Sequence, residues 1–275
     1  MTYEFRCDAH THTLYSRHAY STIMENLQAA RTAGLELLGS ADHLSGMLFP
    51  TSDIRNYQFF LNMDVWPREH DGVVLLRGAE VDILGLDGRL FGQDIPVDAS
   101  IVGRLYKEEK SLFERLTEPL DYVVASVHNN AFADGATMDE TTQMYLNVLA
   151  QPKVFILGHV GRSGVPFDLD TVLAAARDAH KLIEINEHSL QRGATSGTYR
   201  RCRDIARRCA ELGVGITVST DAHIACDIGR MPAAAEMLAS IDFPEELVMN
   251  RSAAAFLGEL AAAGVCDLTE LAPNA

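Results

Sequence analysis

Along this chain, short strand-like runs rich in apolar residues alternate with longer stretches in which apolar residues recur every three or four positions. Seven of the short runs read as strands: residues 4–9, 35–41, 73–83, 122–127, 154–157, 182–186 and 215–220. Several are continuously apolar, as expected of strands covered on both faces. Between them lie helical start and stop signals. Thr22 with Glu25 and Thr137 with Glu140 have the spacing of capping boxes, and Gly34 and Gly213 sit where helix C-caps belong. Asp242 with Glu245 repeats the box ahead of C-terminal helices expected over 245–275. Seven successive β-α units imply a parallel sheet, and closing it gives an α/β fold with a TIM-like barrel. An open doubly wound sheet is the alternative.

Asp87-Gly88 marks a tight turn after the third strand. In the segment that follows, Leu105, Leu112, Phe113 and Leu116 have broadly helical spacing among mixed charges. This predicts an amphipathic helix over 97–118 lying outside the barrel, inside an inserted segment (91–118) that could serve as a lid or an oligomer contact. No internal repeat, low-complexity tract or linker divides the chain, so a single catalytic domain over 1–275 is expected.

Composition narrows the field. With 275 residues, 47% of them hydrophobic, the chain can bury a full core. A formal net charge of −15 argues against nucleic acid or an anionic membrane as partner, since both demand an excess of Lys and Arg. Five cysteines without a C-x-x-C pair indicate neither a disulfide framework nor a thiolate metal site. The first residues lack a basic and apolar leader, and no apolar run approaches the roughly 18 residues needed to span a bilayer. The expectation is a soluble, cytoplasmic protein, with homo-oligomerisation left open.

Histidine is scarce, ten in 275 residues, yet seven of the ten fall at or just beyond predicted strand ends. Strand one delivers His10 and His12, strand two His43, strand three Glu80, strand four His128, strand five His159, and strand seven Asp221 and His223; His18 lies in the loop after strand one. In a parallel barrel these C-terminal ends converge on one mouth. His-x-His and Asp-x-His place both side chains of each pair on one face of an extended backbone. A lone histidine at a strand end is usually just a satisfied polar group, but six strand ends together are not explained that way. Imidazole with one or two carboxylates suits zinc, iron or manganese better than magnesium or calcium. Nine candidate ligands exceed what one ion uses, so two or three ions are implied. His70, His180 and His188 lie on predicted helices or loops and are left outside the set.

The stretches that carry these residues are Asp8-Ala9-His10-Thr11-His12-Thr13, His18-Ala19-Tyr20-Ser21-Thr22, Ala41-Asp42-His43, Arg77-Gly78-Ala79-Glu80, Ser126-Val127-His128, Gly158-His159 and Ser219-Thr220-Asp221-Ala222-His223. Together they resemble the PHP family of metal-dependent phosphoesterases, which includes histidinol phosphatases and the editing domain of bacterial DNA polymerases. Asn62-Met63, Trp66-Pro67-Arg68, Asp71-Gly72-Val73, Leu76-Arg77-Gly78, Glu184-Ile185-Asn186 and Asn250-x-Ser252 further resemble its YcdX-like, trinuclear-zinc phosphatase branch. The resemblance runs over nearly the whole chain and implies a distorted (β/α)7 barrel. It also implies one metal on His10, His12, Glu80 and Asp221, a second on Glu80, His128 and His159, and a third on His18, His43 and His223. The stretch between Glu80 and His128 is longer than in such relatives, with the extra residues expected between Phe91 and Leu116.

The implied chemistry is hydrolysis of a small phosphomonoester by a metal-bound hydroxide, with Glu80, Asp221 and His223 at the catalytic centre. The cofactors expected are three divalent transition-metal ions, zinc foremost and manganese or iron as alternatives. Arg17 and Arg162 are candidates to clamp phosphate. Asn186 is a candidate to contact substrate or to orient a ligand, and Asp42 to orient His43. A phosphodiesterase or nuclease is the competing enzyme reading, against which the acidic charge counts. An amidohydrolase would draw its later ligands from other strands, and a non-enzymatic metal-binding regulator would be favoured only if ligands were missing.

Overall fold

The computed structural model describes residues 3–273. All seven expected strands are present: β1 (Cys7–Thr11), β2 (Leu37–Ser40), β3 (Val73–Asp82), β4 (Tyr122–Ser126), β5 (Val154–Leu157), β6 (Leu182–Asn186) and β7 (Ile216–Ser219). Each pairs in parallel with the next in chain order. The sheet is not open. At its tips β1 meets β7 through Asp221 N donating to His10 O and His12 N donating to Ala222 O, both at 2.9 Å. Below that bridge Asn250 fills the seam, its Nδ2 donating to Cys7 O and Val218 O and its Oδ1 accepting from Val218 N. The result is one nearly closed, distorted barrel ringed by helices.

Two-residue alternation decides what lies inside. Cys7, Ala9, Leu37, Val74, Leu76, Tyr122, Val124 and Leu182 form an interior cluster, capped from below by Phe256, Leu257 and Leu260. The alternate residues, among them Leu75, Val81, Val123, Ala125, Ile183 and Ile185, pack against the surrounding helices. Tyr122 spans the interior, its hydroxyl donating to Ala9 O at 2.5 Å. It needs two glycines to do so, since a Cβ at Gly39 would lie 2.0 Å from the phenol oxygen and one at Gly78 2.7 Å from the ring. On β3 the inward series therefore runs Val74, Leu76, Gly78, Glu80, Asp82: apolar at the bottom, tightly packed in the middle, acidic at the mouth.

The helices are α1 (Ile23–Thr32), α2 (Leu112–Thr117), α3 (Met138–Leu149), α4 (Leu169–Asp178), α5 (Gly197–Leu212), α6 (Pro232–Ala239) and α7 (Ala253–Ala262), with several shorter turns. The boxes expected at Thr22/Glu25 and Thr137/Glu140 cap α1 and α3, and Gly34 and Gly213 adopt positive φ at the ends of α1 and α5. The box expected at Asp242 does not form. Asp242 takes a positive φ of 49°, and the C-terminal helix is capped instead by Ser252, which accepts from Ala255 N. Between 245 and 275 α7 is the only α-helix among the described residues, joined by short 3-10 turns.

The largest departure from expectation is 97–118, which is helical only from Leu112. Pro96–Ala99 and Leu105–Ser111 form an antiparallel hairpin turning at Gly103 (φ 79°). Lys107 to Lys110 are four charges in succession and supply no apolar stripe for a helix to bury. Ser111 and Glu114 form a capping box, so the helix starts where Leu112 and Phe113 begin the buried face. The hairpin is anchored to the barrel's flank through Arg55 Nε, which donates to Ile101 O at 3.1 Å.

Candidate metal centre

The barrel mouth brings the nine sequence candidates to one place. Glu80 lies inside β3, its residue paired across to His43, while His128, His159, Asp221 and His223 follow the ends of β4, β5 and β7. β1 begins three residues later than the apolar pattern suggests, which sets His10 inside the strand and His12 just past it. A register shift between Asp8 and Thr11 re-aims this strand. His159 and Asp221 are held at φ 29° and 57°, in the left-handed region that non-glycine residues enter at a cost of about 1–3 kcal/mol. Two strained residues at the ends of β5 and β7, both aimed into one cluster, show that the surrounding structure overrides local preference there.

Glu80 is the hub. Its Oε2 lies 3.2 Å from His10 Nε2, 3.5 Å from His12 Nε2 and 2.8 Å from His43 Nδ1, and its Oε1 lies 2.8 Å from His159 Nε2 and 3.2 Å from His128 Nε2. Asp221 Oδ1 lies 3.0 Å from His12 Nε2 and 3.8 Å from His10 Nε2. Three groups of ligand atoms fall within coordinating reach of one another: His10, His12, Glu80 and Asp221; His43, Glu80 and His128; and His12, His43 and His223. His18 joins the last, its ring stacked on His43 at a centroid distance of 5.0 Å and tilted against His223 at 4.7 Å.

The electrostatics fit a cation. Burial works against ionising Glu80, but the imidazoles of His10, His128 and His43 hold its carboxyl well below the usual carboxylate range. Asp221 is likewise buried yet kept low by His10 and His12. Burial pushes His12 down to about 3 and lowers His18, His159 and His223, leaving neutral imidazoles. Burial also opposes charge on His128, but Glu80 and Asp82 outweigh it and raise this group to about 10. His10 is raised in the same way, against its burial, by Glu184, Glu80 and Asp221. Protonated His10 and His128 thus neutralise carboxylates packed together at the base of the mouth.

Hydrogen bonding is incomplete in the same place. His10 Nε2, both ring nitrogens of His43, Glu80 Oε2 and His159 Nδ1 are buried without a hydrogen-bond partner. His43 Nδ1 is close to Glu80 Oε2, but the two are not aligned for a hydrogen bond. An unsatisfied buried polar atom costs about 1–3 kcal/mol, and several aimed at a common centre are what a metal site presents. The His/Glu/Asp cluster is able to bind metal.

Behind the ligands stands a supporting layer that sequence reasoning reached only in part. Glu184 Oε1 lies 2.7 Å from His10 Nδ1, and its Oε2 accepts from His159 N at 2.6 Å. Asp82 Oδ1 lies 2.7 Å from His128 Nδ1. Asp42 accepts from Thr13 and Ser16, and Ser16 Oγ in turn accepts from His43 N. The available signal was alternation: Asp82 shares the inward face of β3 with Glu80, and Glu184 that of β6 with Leu182.

Of the residues considered for substrate, Arg162 Nη1 is 3.0 Å from Asp221 Oδ2. The Arg17 guanidinium lies 5.0 Å over the Phe49 ring. Asn186 is buried, its Nδ2 3.3 Å from both Glu184 Oε2 and Asp221 Oδ2 and its Oδ1 accepting from Ser189. Two recesses of about 400 Å³ each border the cluster. One is lined by His128, Asn130, Arg162, Ser163 and Arg192, the other by Gln191, Asp221, His223, Asp227 and Arg230, and His188 lines both.

Residues 8–190 match the PHP domain. The chain is 37% identical over 247 residues to a probable phosphatase of Clostridium acetobutylicum, covering 90% of this chain and 91% of that protein. The chain belongs to the PHP family. A probable phosphatase of Photobacterium profundum is 35% identical over 269 residues, 98% of this chain and 99% of the relative. Among solved structures, the PHP chain resembles histidinol phosphate phosphatase from Lactococcus lactis, complexed with zinc, L-histidinol and phosphate. The TM-score is 0.54 at 18% identity, covering 87% of this chain and 94% of that one, a likeness of fold. As a PHP member the chain is a phosphoesterase of the hydrolase class. Among its described residues no helix is long and apolar enough to cross a membrane.

Proposed function

We propose that this PHP phosphoesterase hydrolyses small phosphomonoesters at a centre of three divalent transition-metal ions, zinc foremost. The observation that carries the reading is the hub geometry of Glu80, whose two oxygens each lie within 3.5 Å of two or more imidazoles on separate strands. His10, His12, Glu80 and Asp221 would hold one ion, Glu80, His128 and His159 a second, and His18, His43 and His223 a third. Bound there, the ions would supply a water of lowered pKa and neutralise the phosphoryl and leaving oxygens.

The chain's own residues supply orientation and charge. Glu184 and Asp82 fix the ring planes of His10 and His128, so that the opposite nitrogens face the centre, and Glu184 also holds the backbone of His159. Arg162, anchored on Asp221, presents its remaining N–H groups at the mouth, where a dianionic phosphoryl group would meet them. Arg17, beside His18, would add a second guanidinium to the same group on leaving Phe49. Asn186, with its carboxamide engaged inside the protein, acts by steadying Asp221.

The test is a substrate comparison with manganese or zinc supplied. p-Nitrophenyl phosphate and a sugar phosphate should be hydrolysed at least roughly tenfold faster than bis-p-nitrophenyl phosphate or single-stranded DNA, about 1.4 kcal/mol in transition-state binding. A preference for the diester or DNA would replace this reading with a nuclease. Elemental analysis should approach three equivalents of metal per chain, and full activity at one equivalent would defeat the trinuclear assignment.

A further inference from the structure

We propose that His188 is the proton donor to the leaving group. This inference rests on the phosphomonoester reading above. The two recesses differ in chemical character. The first is lined by Arg162, Arg192, Asn130 and Ser163 with no carboxylate, and Arg192 forms no ion pair among the described residues. The second carries Asp227, Gln191 and Arg230 beside Asp221 and His223, a mixture of acceptors and donors suited to hydroxyl groups. A phosphomonoester has the same two ends, a dianionic phosphoryl group and a hydroxylated carbon skeleton. With the phosphoryl end in the arginine recess and the alcohol end in the other, the ester oxygen lies where the recesses adjoin.

One side chain borders both. His188 lines each recess, whereas Ser189 lines only the first and Gln191 only the second. The side chain is exposed, and its ring nitrogens make no hydrogen bond among the described residues. Its backbone is nevertheless held firmly. The turn Glu187–Leu190 is capped by Asn186, which reaches Asp221, and Glu187 accepts from Ala233 N at 3.1 Å and Ala234 N at 2.8 Å at the start of α6. A free imidazole on a backbone fixed to the cluster is well placed to act on the ester oxygen. His188 lies neither on an alternating strand face nor at a strand end.

In the step assigned here, the oxygen of a water molecule forms the new bond to phosphorus and loses its proton to solvent. The bond from phosphorus to the alcohol oxygen breaks, and its electron pair stays on that oxygen. The oxygen takes the proton from the His188 imidazolium, and the neutral ring regains one from solvent. The products are inorganic phosphate and the free alcohol. An alkoxide needs this proton, whereas p-nitrophenolate leaves without it.

The experiment compares His188→Gln with the unsubstituted holoenzyme on glycerol phosphate and on p-nitrophenyl phosphate. General acid catalysis contributes roughly 100-fold or more, so kcat/KM should fall about that far with glycerol phosphate and less than about threefold with p-nitrophenyl phosphate. Metal content, thermal midpoint and competitive inhibition by inorganic phosphate should be unchanged, since the role lies at the alcohol side. Equal losses on both esters, or none on glycerol phosphate, would overturn the role of His188. An unsubstituted enzyme inactive on both esters would instead overturn the monoester reading, and this inference with it.

Discussion

The carboxamide of Asn250 pairs with the backbone of Val218 as a neighbouring strand would, donating to its carbonyl at 2.8 Å and accepting from its N–H at 2.9 Å. A third bond, to Cys7 O at 3.0 Å, ties the same side chain to the first strand. A residue from the segment before α7 thus seals the gap between β1 and β7 below the point where their tips meet. Its replacement by Ala would leave two buried carbonyls and one N–H without partners. At about 1–3 kcal/mol each, Asn250→Ala should cost roughly 3 kcal/mol or more. Urea unfolding would show the loss as a lower midpoint at unchanged slope, and a loss under about 1 kcal/mol would mean that water enters the seam.

How much of this was legible follows from what each signal depends on. Strands β2 to β7 were readable as apolar runs because both faces are covered. The ligand set was readable because a strand's end in sequence is also its end in space. The seam was not, since Asn250 lies outside any strand and acts only once the barrel is folded. The hairpin before Leu112 was misread because Leu105, Leu112 and Leu116 match a helical period although Leu105 is exposed and paired with Ala99. Asp242 had cap spacing, yet the following Phe243 is buried and directs the chain inward instead. His188 carries no periodic signal, and only its position between two recesses marks it.

Glu80→Gln should abolish turnover and strip metal, because one residue serves ligand groups on both sides of it. Glu187→Gln is the contrast. Its carboxylate receives two N–H groups at the start of α6, so the variant should keep its metal while losing stability, on the order of 1 kcal/mol as for other helix caps. Elemental analysis with circular dichroism on both variants checks the pair. Equal metal content in the two would show that the centre has been placed wrongly.

Metal loading should release protons. In the metal-free protein burial disfavours charge on His128, but Glu80 and Asp82 raise it to about 10, and His10 is raised by Glu184, Glu80 and Asp221. Both are therefore protonated near pH 7, and a cation must displace those protons to reach the ring nitrogens. Affinity should rise with pH below these values, up to about tenfold per pH unit for each proton displaced at a given ion. His12, pushed down to about 3 by burial, is already neutral and contributes none. Calorimetric zinc titrations in buffers of different ionisation enthalpy would count the protons, and a count of zero would contradict the charge pattern described here.

Glu184 should matter more to metal affinity than its distance from any open surface suggests. It touches two strand ends at once, fixing the His10 ring through Nδ1 at 2.7 Å and the backbone of His159 at 2.6 Å. It is buried, yet His10 and His159 keep its carboxyl below the ordinary glutamate range, so it serves as a charged acceptor. Glu184→Gln keeps the size but removes that charge and presents an amide hydrogen to one of two donors. Loss of such a supporting hydrogen bond typically costs 10–100-fold in metal affinity or activity, so a drop of about that size in zinc affinity is expected. The His159 turn sits at φ 29° and relies on this bond, so Glu184→Gln should also lower the thermal midpoint of the metal-free protein. Full metal affinity in the variant would mean that His10 and His159 are oriented by packing alone.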